Sequence, residues 1–338
     1  MRNEYDDEGA EWRKEEPRGV DELFASAKEY ASSERFRELM AFTGSFKQFA
    51  PYNAMLIYLQ RPGARFVLSP RDWMEHYDRV VSKDTRPILI LSPNGPLRCL
   101  YDVVDTQLMP NGRTDLFPPE LIQPFEGDLN RPVPPDMLQR LKDCLPFLGI
   151  CFGTMRTGEC LAGKIEIGGR GDPDVVVPID REHAIQWPPA YSIRVAEGTS
   201  ATVQFCAIVH ELGHLFCRHV PDVYGGKTRP RWISEEAEEF EAESVAWLVA
   251  RRQGVSNPSH RYLAARLDHC GEIPEETSVE EIMKAATRVE RMLASPQEAL
   301  SFFRNRCPAF RKAMDELKQK HRGQGANPSE SESTRTGI

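Results

Sequence analysis

The sequence lacks any apolar run approaching the roughly 20 residues that a membrane span requires, so no membrane partner is expected. It also lacks a CxxC pair. The eight cysteines, Cys99, Cys144, Cys151, Cys160, Cys206, Cys217, Cys270 and Cys307, follow no regular spacing. That argues against a zinc ribbon and a disulfide framework, and leaves buried thiols acting as small apolar residues. Positive charge is in deficit, with 43 Lys and Arg against 51 Asp and Glu and a formal net charge of −8. Bulk attraction to duplex nucleic acid or anionic lipid is therefore not expected, although a local basic patch remains open. The opening MRNEYDDEGAEWRKEEPRGV has no apolar core of a secretion signal, so the cytoplasm is the expected compartment. Internal repeats are absent as well.

What is present fills 338 residues, enough for about two domains at roughly 150 residues each. Residues 1–20 and 319–338 are polar and read as disordered tails, the first of them acidic. Between 109 and 136 stand Pro110, Pro118, Pro119, Pro124, Pro132, Pro134 and Pro135, a density that interrupts helix and sheet alike. This stretch is the expected linker between a unit at 21–108 and a unit at 137–318.

The first unit reads as helical from Asp21 to Arg61, with a break at Thr43-Gly44-Ser45, and then as strands at ARFVL, RPILIL and LRCLYDVV. In the second, a helix near Met137–Leu148 precedes strand-like KIEIGG, DVVVPI and YSIRV. Thr199 or Ser200 can cap the helix that follows. A helix spans Ser234–Arg252 before Gly254, a short one lies near Tyr262, and Ser278 with Glu281 has capping-box spacing. The fold class expected is α+β, with a small sheet and mostly helices in the second half.

The chemistry concentrates in AIVHELGHLFCRH, where His210-Glu211-Leu212-Gly213-His214 forms an HExxH pattern. Four residues advance a helix by about 400° and 6 Å, so His210 and His214 project side by side. Two neutral imidazoles and a carboxylate suit Zn²⁺, and Glu211 is placed to act as general base on a zinc-bound water. The third ligand is expected from SEEAEEFEAESVAWLVARRQG. Glu235, Glu238 and Glu241 read as a solvated face, whereas Glu239 and Glu243 share a side with Ala242, Ala246 and Ala250. Glu239 is the favoured ligand and Glu243 the carboxylate behind an imidazole N–H; the reverse assignment stays open. Cys206 and Cys217 read as buried helix residues rather than ligands. His219 reads as a helix C-terminal residue, and it or Tyr224 is a possible rim group to polarise a substrate carbonyl.

With HExxH followed by EFEAESVAWLVARRQG, the second half resembles the gluzincin-like metallopeptidases of the ImmA/IrrE and ArdC type. That resemblance implies a zincin-like domain in which His210, His214 and Glu239 bind zinc, Glu211 is the base, and Glu243 matches the second acid. The implied activity is hydrolysis of a protein or peptide substrate. YNAMLIYLQRPGARFVLSPRDW, RPILILSP and YDVVDTQ resemble the N-terminal domain of ArdC-type antirestriction proteins, which implies single-stranded DNA as a partner. Arg61, Arg65, Trp73, Arg79 and Lys83 are the expected contacts, through backbone neutralisation and base stacking. From Arg61 to Arg98 there are seven basic against four acidic residues, and Asp78 and Asp84 stand where that family is basic. The alternative to a peptidase is thus a DNA-binding antirestriction protein whose metal domain is structural.

Overall fold

The computed structural model describes residues 33–92, 95–114, 131–156, 163–180, 182–224, 230–257 and 272–324. Its helices α1 (Ser33–Ser45) and α2 (Pro51–Gln60) are separated where Thr43-Gly44-Ser45 ends the first and Pro51 starts the second. α2 buries Tyr52, Met55 and Tyr58 on one side and Ala54 and Ile57 on the other, so it is covered nearly all round. β1 (Val67–Leu68) follows, then α3 (Pro70–Tyr77), capped by the Ser69 hydroxyl accepting from Asp72 N–H and ended by Asp78 at φ 50°. β2 (Arg79–Val81), β3 (Ile88–Ser92), β4 (Gly95–Asp102) and β5 (Thr106–Leu108) complete this half. They form an antiparallel sheet ordered β1-β4-β3 and a separate β2-β5 pair.

The remainder begins with α4 (Pro135–Cys144), two residues ahead of the expected boundary because Pro135 takes the first helical position. Five strands follow: β6 (Ile150–Met155), β7 (Gly163–Ile167), β8 (Val175–Pro178), β9 (Ala184–Trp187) and β10 (Tyr191–Ala196). β10 lies between β6, parallel to it, and β7, antiparallel to it. Its Tyr191, Ile193 and Val195 point into the core. Then come α5 (Ala201–Phe216), α6 (Glu235–Gln253), α7 (Val279–Ala294), α8 (Pro296–Arg306) and α9 (Pro308–Gln324). Ser200, Ser234 and Ser278 each accept a backbone N–H at the start of α5, α6 and α7, and Gly254 closes α6 at φ 70°.

The chain is therefore a mixed α+β protein. Residues 115–130 of the expected linker at 109–136 lie outside the described residues, and the first helices do not pack with the small sheet alone. Phe36, Leu39, Met55 and Leu56 join the large core built around α5, α6 and α7, while Ile57 faces the smaller cluster of Val67, Ile88, Ile90 and Leu100. α1 packs on α6 and α2 on α7, so the first helices are part of the framework of the second half. α9 runs to Gln324, past the expected tail boundary at 319. The helix expected near Tyr262, the segment 1–20 and residues 325–338 lie outside the described residues.

Candidate metal centre

α5 and α6 cross closely because the crossing point has almost no side chain. A Cβ on Gly213 would lie 2.9 Å from the Ala242 Cα, so only glycine fits opposite that backbone. Ala242 and, one turn on, Ala246 are both buried. Glu239, one turn before Ala242, is thereby carried to the face from which His210 and His214 project. Gly213→Val is expected to cost about 1–3 kcal/mol through overpacking. Separating the helices should also draw Glu239 from the histidines and weaken zinc affinity at least tenfold. Thermal unfolding together with a zinc titration checks both effects, and two unchanged values would mean that the helices do not meet as described.

The two Nε2 atoms of His210 and His214 are 3.1 Å apart. Glu239 Oε2 lies 3.4 Å from His210 Nε2, and its Oε1 lies 3.3 Å from His214 Nε2. Ligand atoms 2.0–2.1 Å from a tetrahedral zinc are about 3.3 Å from one another. The two short carboxylate contacts use different oxygens of Glu239, one donor atom from each of the three residues lies within 4.8 Å of the others, and their His₂Glu chemistry suits zinc. The His210 and His214 side chains are 21% and 12% exposed and that of Glu239 44%, which leaves access for a further ligand. Burial opposes a charged His210, yet the Glu239 and Glu243 carboxylates overcome it and raise its pKa to about 10. Hydrogen bonds from both histidines hold the Glu239 carboxyl far below the usual carboxylate range. Such a pocket is preset for positive charge.

Glu243 sits behind His210, with Oε2 3.4 Å from Nδ1. Glu239 therefore faces the two Nε2 atoms, and Glu243 the opposite side of the His210 ring. Its other oxygen, Oε1, is buried without a hydrogen-bond partner among the described residues. Glu211, 6% exposed, is pressed against β7: it accepts the Ile165 N–H, and a Cβ on Gly163 would meet its Oε1 at 3.2 Å. Burial pushes its carboxyl above the ordinary value, against the pull of His210 and His214.

Three expectations need correction. Glu241 is not on a solvated face; it is fully buried, because that side of α6 packs against the chain entering the helix and against the start of α7. Its carboxylate accepts from Arg231 at 2.5 and 2.9 Å, from Ser278 N–H at 2.6 Å, and meets His219 Nε2 at 2.9 Å. Burial alone would raise its carboxyl, but His219 and Arg231 hold it low. His219 and Tyr224 are not rim groups: His219 is enclosed in this network and the Tyr224 hydroxyl donates to Leu148 O. Cys217, His219 and Glu241 could by spacing hold a second metal. The Arg231 guanidinium, however, already satisfies both carboxylate oxygens where a cation would bind, and burial raises the Cys217 thiol well above its usual value.

Trp73 is also misplaced as a base-stacking platform. It is 0% exposed, its indole N–H donates to Tyr101 O at 2.9 Å, and Phe66 and Tyr77 pack edge-on against it. Arg61 is paired with Asp105, and Arg79 donates to Thr106 Oγ1 and to its carbonyl. Arg65 and Lys83 are exposed. The five residues therefore do not form one aromatic and basic surface.

Sequence reasoning missed the Arg231–Glu241–His219 network, since nothing in the spacing of an acidic helix distinguishes the buried Glu241 from the solvated Glu235 and Glu238. Comparison of the chain with models of known protein families, with curated proteins and with solved structures finds no match, so the functional reading rests on this geometry.

Proposed function

We propose that the chain is a zinc-dependent peptidase of the ImmA/IrrE and ArdC type, acting inside the cell. The observation that carries this reading is the convergence of His210, His214 and Glu239, one donor atom from each within 4.8 Å of the others, with a buried carboxylate, Glu211, on the helix of the two histidines. His210, His214 and Glu239 would hold the ion, which when bound supplies Lewis acidity toward a peptide carbonyl and acidity to a neighbouring water. Glu211 takes the proton of the attacking water and delivers it to the leaving amine. Its raised carboxyl suits both halves of that transfer. β7 pairs only with β10 among the described residues, and an extended peptide adding to its other edge would displace Glu211 from the Ile165 N–H. The Ile165 N–H contact brings Glu211 to β7, so a peptide bound along this strand would run close to the base.

The six described cysteines form no disulfide, which suits a reducing compartment. No helix among the described residues is long and apolar enough to cross a membrane. Single-stranded DNA as the principal partner is not adopted, because no observation of comparable weight favours it.

Incubating the zinc-loaded chain with an unfolded protein tests the proposal. Cleavage should stop on chelation and return with added zinc. Cleavage indifferent to the chelator would remove the metal from the reaction.

A further inference from the structure

The residue behind His210 is a carboxylate, but the residue behind His214 is another imidazole. His214 Nδ1 and His219 Nδ1 are 3.1 Å apart, and His219 Nε2 is 2.9 Å from Glu241 Oε2. The turn that brings His219 back is a Schellman motif at the end of α5. His219 N–H donates to His214 O, and Arg218 N–H donates to Leu215 O. Arg218, at φ 66°, occupies the left-handed position usually given to glycine. A strained non-glycine residue is held there by its carbonyl, which accepts Arg231 N–H, and by its side chain, which donates to Glu281.

The hydrogen bonds admit one proton arrangement in which His214 can bind a metal. A metal-directed Nε2 must be bare, so His214 carries its proton on Nδ1 and donates it. His219 Nδ1 must then accept, which puts its own proton on Nε2, facing Glu241. A carboxylate that already takes Arg231 on both oxygens and Ser278 N–H on one has no proton to give and can only accept from His219. The opposite arrangement, with a proton on His219 Nδ1, would turn His214 Nδ1 into an acceptor and block Nε2 with a hydrogen.

We infer that His219 is a positioning residue for His214, its ring fixed by Glu241 and Arg231, so that the His214 Nε2 lone pair is set toward Glu239 and His210. This rests on the zinc reading above. Loss of such a partner typically costs 10–100-fold in metal affinity. The network is also dry, with side-chain exposures of 1% for His219 and 0% for Glu241, so water cannot replace the imidazole without rearrangement.

Zinc affinity, measured by competition with a chelator, separates positioning from packing. His219→Phe keeps the ring volume and removes the acceptor, and is expected to bind zinc about 10–100-fold more weakly than the unchanged chain. His219→Asn places an amide oxygen where Nδ1 stood and should recover most of that loss. Nitrogen-15 NMR of the histidine rings in the unchanged, zinc-loaded chain needs no variant to fold. It should show His214 protonated on Nδ1 and His219 on Nε2 only. Equal affinity of His219→Phe and the unchanged chain, or a His219 proton on Nδ1, would overturn the inference while leaving the zinc site standing. An unchanged chain that binds no zinc would overturn both.

Discussion

Glu211→Gln is expected to lower peptide hydrolysis by about 10²–10⁴-fold, the usual worth of a positioned general base, while zinc affinity stays within a few-fold of the original. The substitution is nearly isosteric, and Glu211 does not share the donor face of His210, His214 and Glu239. An amide can still accept the Ile165 N–H, so the contact with β7 survives. What it cannot do is take a proton from water and pass it to an amine. Because Glu211 is buried among groups of both signs, its neutral replacement should not unfold the helix. Steady-state kinetics beside metal analysis check the prediction: a variant that cleaves normally means the base is another group, whereas one that loses zinc means Glu211 belongs to the ligand set.

The second large effect concerns the framework. Arg252 has a side chain 4% exposed and is bonded on every side: Nε to Glu290 at 2.6 Å, and its two terminal nitrogens to the carbonyls of Thr43, Phe46 and Phe49 at 2.7–3.0 Å. It therefore terminates α1 and anchors the turn into α2 from the last turn of α6. Arg252→Met keeps most of the volume but leaves Glu290 and three carbonyls without this partner. Breaking one side of a buried ion pair costs about 3–5 kcal/mol, which lowers Tm by on the order of 10 °C in a protein of this size. A shift of under about 2 °C would show that the first helices are not braced to the body of the second half through this residue.

The helices that carry the site were readable from the sequence because their signals are local. Ser200, Ser234 and Gly254 mark ends of α5 and α6, and the HExxH spacing sets both imidazoles on one face. The small Ala242 and Ala246 announced a close crossing, but that Gly213 is its counterpart only becomes visible in three dimensions. β6 and β9 escaped notice because ICFGTM and AIQW are short and not strongly alternating, so pairing within their sheets, rather than their own pattern, defines them. Glu241 and Trp73 failed for a shared reason. Burial of a charged or aromatic side chain depends on what packs over it, here Arg231 with Ser278 in one case and Phe66 with Tyr77 in the other. The same limit hid the part played by α1 and α2, whose apolar residues say that they pack but not against which core.

Metal analysis of the purified chain beside His210→Ala tests the central claim most directly, because every catalytic role assigned here depends on the three donors of α5 and α6. The unchanged chain should hold one zinc per molecule and His210→Ala close to none, with both folded. An unchanged chain that takes up no zinc when offered it, or a variant that keeps its full complement, would contradict the assignment of the site.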